Sequence, residues 1–140
     1  MTKPLILLPV DGSEHAHRAA DYTAKMAILM NARTLLLHCH QTFPIKLGEP
    51  YFQKAIDRII QRSQELLDPF RTLLGDQGLD YSELIMEGPP GGKICDVARI
   101  EKCELIIMGS RGRSDLAGLF LGSVAHRVLQ QAPCPVLIVR

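Results

Sequence analysis

Leu5-Ile6-Leu7-Leu8-Pro9-Val10, halted by Asp11-Gly12-Ser13, is where the architecture of this chain first declares itself. A short run that is apolar at every position suits a strand covered on both faces, as in a parallel sheet with helices above and below. Ser13 is placed to cap a following helix, and Glu14 supplies an acid to its first turn. Ala16, Ala19, Ala20, Thr23, Ala27 and Met30 then recur mostly three or four apart, giving one small, apolar helix face, and Asn31-Ala32-Arg33 ends it.

The same alternation continues downstream. Residues 34–39 read as a second strand, followed by a loop with Pro44, Gly48 and Pro50. A long helix over residues 51–74 carries Phe52, Ile56, Ile59, Ile60, Leu66, Leu67 and Phe70, with Pro69 as a potential kink and Gly75 and Gly78 closing it. Leu84-Ile85-Met86 centres a third strand that begins near Tyr81. Gly88-Pro89-Pro90-Gly91-Gly92 reads as a loop, residues 93–102 as a short helix, and Leu105-Ile106-Ile107-Met108 as a fourth, wholly apolar strand. A polar, glycine-containing loop spans residues 109–122; Ser123 caps a helix running to Gln131, and Val136-Leu137-Ile138-Val139 is the last strand. Strands alternating with helices predict an α/β fold: a doubly wound, five-stranded parallel sheet between two helix layers, Rossmann-like.

Composition bounds what such a fold does. With 140 residues the expectation is one domain, residues 1–140, large enough to fold without metal or disulfide. Sixteen basic against fifteen acidic residues leave +1, which removes the long-range field of a generic nucleic-acid binder. The longest apolar stretch, residues 4–10, is too short to span a bilayer, and Met1-Thr2-Lys3-Pro4 leaves no room for a signal peptide. The expected location is the cytoplasm. Cys39, Cys95, Cys103 and Cys134 form no C-x-x-C pair; the first, second and fourth sit in apolar or element-like contexts, as small hydrophobes do.

In an open α/β sheet the ligand lies beyond the carboxyl ends of the strands, at the switch point. Two segments fall there: Asp11-Gly12-Ser13 after the first strand, and Gly109-Ser110-Arg111-Gly112, nine residues, then Gly122-Ser123-Val124 after the fourth. Glycines let the backbone approach a bulky ligand, and a helix start offers unpaired N–H groups and a positive dipole end. A row of phosphates fits that description. Plainer readings stand beside it: Asp11 as a turn cap with Ser13, residues 109–122 as an ordinary loop, and Arg111 and Arg113 as surface charges. Of the two arginines only Arg111 is counted in the site, through its backbone.

Other motifs fail on inspection. Gly88 to Lys93 lacks the glycine spacing of a P-loop, and Ile94 has no hydroxyl for magnesium. His38 and His40 share a strand face without a third ligand at a metal-binding spacing. No G-x-S-x-G elbow is present and no acidic pair suggests hydrolase chemistry, so no catalytic residue is assigned.

The pattern Gly109-x2-Gly112-x9-Gly122-Ser123, flanked by Met108 and Val124, resembles the nucleotide-binding signature of the universal stress protein family. So do the opening Leu7-Leu8-Pro9-Val10-Asp11-Gly12-Ser13, the strand end Leu37-His38-Cys39, the Gly88-Pro89 turn with Ile94 and Ala98, and the closing Cys134-Pro135-Val136-Leu137-Ile138-Val139. The resemblance implies the ATP-binding subgroup, with ATP, ADP or AMP as ligand. Asp11 would hold the ribose or adenine edge, with Pro9 and the backbone of Val10 and Cys39 around the base. Met108 and Gly109 would line the ribose; Arg111, Gly112, Gly122, Ser123 and Val124 would surround the phosphates. Mg2+ or Mn2+ would be held mainly by those phosphates. It also implies a homodimer, and Val136–Val139, expected at a sheet edge, is the surface that pairing would cover, unless helix faces shield it.

Fast hydrolysis needs a metal-holding acid, a water-positioning residue and charge stabilisation at the γ-phosphate, and Asp11 is the only candidate acid. The expected function is therefore a nucleotide-dependent switch or sensor in stress response, acting on an unknown protein partner, with slow hydrolysis or none. The competing readings are a slow ATPase or phosphoryl- or adenylyl-transferring enzyme, and a dimeric stress scaffold without nucleotide.

Overall fold

The computed structural model describes residues 2–112 and 115–140; Met1, Arg113 and Ser114 lie outside the described residues, and with them the reading of Arg113 as a surface charge. The elements run β1 (Leu5–Pro9), α1 (Glu14–Met30), β2 (Arg33–His40), α2 (Tyr51–Asp76), β3 (Tyr81–Glu87), α3 (Pro90–Ile100), β4 (Leu105–Gly109), α4 (Ser123–Gln131) and β5 (Val136–Val139). The strands form one parallel sheet in the order β3-β2-β1-β4-β5, as the alternating pattern predicts.

That order explains the two layers. From β1 the chain steps outward to β2 and β3, then crosses back to β4 and continues to β5. Right-handed crossovers in opposite directions place their helices on opposite faces. Accordingly Ile6, Leu8, Leu36 and Ile107 pack with Ala16, Ala19, Ala20 and Ala27 of α1 and Leu67, Phe70 and Leu74 of α2. Their strand neighbours Leu5, Leu7, Leu35, Leu37 and Ile106 pack with Ile94, Val97 and Ala98 of α3 and Ala125 and Val128 of α4. The alternation along each strand follows from its period of two. The alanine face lets α1 lie close on the sheet; Ser13 caps it by accepting from the Ala16 N–H at 3.1 Å, and Asn31 ends it in a left-handed conformation.

Several boundaries differ from expectation. Helix α3 starts at Pro90, three residues before Lys93, because proline at a first helical position gives up an N–H that has no partner there anyway. It also stops at Ile100, with Lys102 in a left-handed turn. Helix α2 continues through Pro69 and Gly75 to Asp76, so Gly75 lies inside it. Ser63, whose Oγ donates to the Ile59 carbonyl, takes the buried position in the α2 stripe, and Ile60 is exposed. Ser123 is the first residue of α4 rather than its cap; Gly122 holds the cap position, and no side chain caps it there.

Among the described residues one buried hydroxyl is unsatisfied. Thr34 Oγ1, on fully buried Thr34 in β2, has no hydrogen-bond partner among the described residues. A stranded polar atom of this kind costs about 1–3 kcal/mol, and valine has nearly the same shape and strand preference. Thr34→Val is expected to raise stability by about 1 kcal/mol, read as a higher denaturant midpoint at unchanged slope.

Candidate functional site

The crevice opens at the seam between β1 and β4. β1 keeps register with β2 from Leu5 to Pro9, but with β4 only at Ile6↔Leu105 and Leu7↔Ile106. Successive strand residues turn their N–H groups to opposite neighbours. The Val10 N–H goes to the Leu37 carbonyl of β2, so the nitrogen of Pro9 faces β4 and has no proton to donate. The ladder lapses there, at the carboxyl ends of the two central strands.

A pocket open to solvent fills the gap. Pro9, Val10, Asp11, Cys39, Met108, Gly109, Arg111, Gly112 and Val124 line it, so the structure brings most of the expected site residues to one place. Its lining also includes Leu37, Pro90, Ile94 and Ala125, which the sequence places in a strand, a loop and two helices respectively. The pocket is thus mainly apolar with one carboxylate at its rim, a shape suited to a flat ring with a polar edge. A wider groove continues from it over the glycine loop, sharing Asp11, Cys39, Pro90, Gly112 and Val124 and adding Ser123 and Asp115. Gly122 lines neither space directly; its N–H donates to the Ser110 carbonyl at 2.6 Å, fastening the loop's far end to its root.

The plainer role of Asp11 is also present: its Oδ1 accepts from the Ser13 N–H at 3.0 Å. Gly112 lies close by, and a Cβ there would sit 2.8 Å from Asp11 Oδ2. The Gly112 N–H donates to Asp115 Oδ2 at 2.5 Å. Gly109 is glycine for a different reason, since a Cβ on it would sit 2.6 Å from His15 Cβ and 2.8 Å from the His15 carbonyl carbon.

His15, at the start of α1, fixes the loop's arginine. Arg111 Nε–H donates to His15 Nε2 at 3.2 Å, and His15 Nδ1 lies 3.2 Å from Ser110 Oγ. A ring nitrogen that accepts from arginine carries no proton, so the ring is neutral. Burial, helped by the Arg18 and Arg111 charges, accordingly holds the His15 pKa below its ordinary value of 6.5. Around and below that pH the unfolded chain binds a proton that the folded protein refuses, so stability falls as pH drops through this region and recovers above it. Denaturant midpoints measured from about pH 7.5 to about pH 5.5 are expected to fall less steeply in His15→Gln than in wild type; equal slopes would remove His15 from the account.

His38 is a satisfied strand-end histidine, with Nδ1 2.9 Å from the Val10 carbonyl, and His40 Nδ1 lies 2.7 Å from the Gln41 carbonyl. Among the described residues no group of three or more His, Cys, Asp and Glu side chains is placed to hold a metal ion. All four cysteines are free thiols, and burial pushes Cys39 and Cys103 up to about 11. Cys103, which its charged neighbours Lys102 and Glu104 place outside any apolar run, is nevertheless buried in the α3–α4 core. No helix among the described residues is long and apolar enough to cross a membrane.

Fold and site together define a doubly wound α/β protein with a switch-point pocket and a glycine-containing loop beside it. Residues 4–140 match the Universal stress protein family, and the chain belongs to that family. It is 41% identical over 135 residues to a universal stress protein of Thermus aquaticus, covering 96% of this chain and 97% of the relative. The solved structure of MJ0577 of Methanocaldococcus jannaschii superposes with a TM-score of 0.86 at 29% identity, covering 99% of this chain and 96% of that one. A universal stress protein of Archaeoglobus fulgidus, solved in complex with dAMP, shares the fold with a TM-score of 0.74 at 21% identity, covering 98% and 97% of the two chains.

Proposed function

We propose that the protein binds ATP at the β1–β4 seam and acts in the cytoplasm as a nucleotide-dependent switch or sensor in stress response, with slow hydrolysis or none. One observation supports the reading: an apolar slot rimmed by Asp11 adjoins a groove that passes Gly112 and reaches the start of α4, where no side chain caps the helix. The base would lie among Val10, Cys39 and Met108, the ribose by Asp11 and Gly109, and the phosphates along Arg111, Gly112, Gly122, Ser123 and Val124. A helix start of this kind favours polyanions through its N–H groups and dipole. An accompanying Mg2+ or Mn2+ would take most of its ligands from the phosphates and would neutralise part of their charge.

The decisive experiment denatures protein purified without added nucleotide and identifies what is released. Stoichiometric adenine nucleotide supports the reading, and the ATP:ADP ratio separates a binder from a hydrolase. No released nucleotide, together with no calorimetric binding of added ATP·Mg, would sink it. The switch adds a second expectation: ATP protects residues 112–122 from limited proteolysis, and equal cleavage with and without ATP argues against it.

Val136–Val139 lies at the sheet edge, paired on one side to β4, and its side chains are half-buried. Pairing of two such edges in a symmetric homodimer would cover it. Sedimentation at rising concentration should give the dimer mass; a monomer throughout refutes the pairing.

A further inference from the structure

We infer that the Asp115 carboxylate stands in for a phosphate in the free protein, and that a nucleotide must evict it to seat its own phosphate. Asp115 would then set how much each phosphate adds to affinity. The inference rests on the nucleotide reading above and names a specificity residue for that site.

The placement of the carboxylate carries the argument. Oδ2 of Asp115 accepts the Gly112 N–H at 2.5 Å, a charge-assisted contact. The same oxygen abuts the point where a side chain on Gly122 would begin, and Asp115 Cγ lies 3.0 Å from that point. One carboxylate therefore sits in the notch between two glycines of the 109–122 loop. The notch adjoins the first residue of α4, where the Gly122 cap position supplies no side-chain acceptor of its own. An anion is favoured at such a place, and the chain supplies one from three residues along the loop.

A phosphate oxygen seeks the same N–H and the same notch, and two anions cannot share it. Asp11 sharpens the conflict. Its Oδ2 and that of Asp115 lie 2.8 and 3.4 Å from the position of a Cβ on Gly112, so two carboxylates already converge on this residue. A third negative group arriving beside an unmoved Asp115 would be repelled at short range in a part-buried site. Neutral adenosine, which ends before the notch, meets no such competition. Each added phosphate meets more of it, and a divalent cation travelling with the phosphates relieves it.

Calorimetric titration of wild type and Asp115→Asn with adenosine, AMP and ATP·Mg separates the possibilities. Asparagine keeps the shape and one acceptor oxygen at a half-buried loop position, so the variant folds. Adenosine is expected to bind both proteins within about twofold, while the ATP-to-adenosine affinity ratio rises about tenfold or more in the variant. An unchanged ratio overturns the inference. A lower ratio overturns it too, and would make Asp115 a holder of the phosphate-bound cation. The adenosine arm reads the nucleoside pocket by itself. Adenosine binding with an unchanged ratio removes the Asp115 role alone, whereas no binding of adenosine or ATP by either protein removes the nucleotide reading and this inference with it.

Discussion

Gly122→Val is expected to abolish nucleotide binding while leaving the fold intact. A Cβ at this position would run into the Asp115 carboxylate and lie 3.1 Å from Arg111 Cα. Asp115 is a side chain and can swing away. Arg111 Cα belongs to the backbone of the loop's root, and valine adds two further carbons, so the loop itself must move. The notch proposed for the phosphates would close from one side, and its N–H groups would turn from their positions. The expected loss is at least about a hundredfold in ATP affinity, roughly 2.7 kcal/mol. The fold should survive at a cost of about 1 kcal/mol, because Gly122 sits at a helix cap with φ −72°, a backbone conformation valine can adopt, although valine caps a helix less well than glycine. Calorimetry with ATP·Mg and a thermal melt on the same sample make the check, and wild-type affinity in the variant would contradict the placement of the phosphates.

Gly109→Ala is expected to do the reverse damage. The added methyl would lie 2.6 Å from His15 Cβ, 2.8 Å from the His15 carbonyl carbon and 3.0 Å from its oxygen. His15 belongs to the first turn of α1, and α1 packs along β4, so no rotamer change relieves the clash. Helix and strand must part where they are tightest. Overpacking of this severity costs about 3 kcal/mol, which for a chain of this size lowers the melting temperature by roughly 10 °C. A denaturant midpoint matching wild type would show that α1 yields freely at its start.

The fold was legible because β1, β2 and β4 carry apolar runs buried on both faces, and each long helix shows a stripe at helical spacing. Where the reading slipped, a local rule gave way to position. Pro89-Pro90-Gly91-Gly92 has the composition of a loop, yet Pro90 opens α3 and Gly91 belongs to it, where a Cβ would lie 2.7 Å from Arg127 Cδ. Ser63 is polar and buried because its hydroxyl folds back onto its own helix. Cys103 gives no periodic signal, since it follows the left-handed Lys102 and precedes β4.

In the site, the glycines and Asp11 stand out because turn chemistry at a strand end is a local pattern. Leu37, Ile94 and Ala125 do not, because a residue that walls a pocket and one that fills a core have the same composition. Asp115 carries no sequence signal either: a polar residue in a polar loop becomes notable only once Gly112 and Gly122 are seen on either side of its carboxylate.

The lapse in pairing after Leu7↔Ile106 has a consequence for the whole molecule. β1 and β4 are neighbours in space yet belong to opposite ends of the chain, and they are stitched together at one end of their length only. Closing so long a chain segment carries an entropy cost that two register pairs do little to offset. A ligand touching Val10 on one side and Met108 on the other is a clasp across that split. Its grip would hold the two halves of the sheet as a single cooperative body, so occupancy would be felt as resistance to unfolding in strands far from the ligand, and an emptied protein would come apart along this line first.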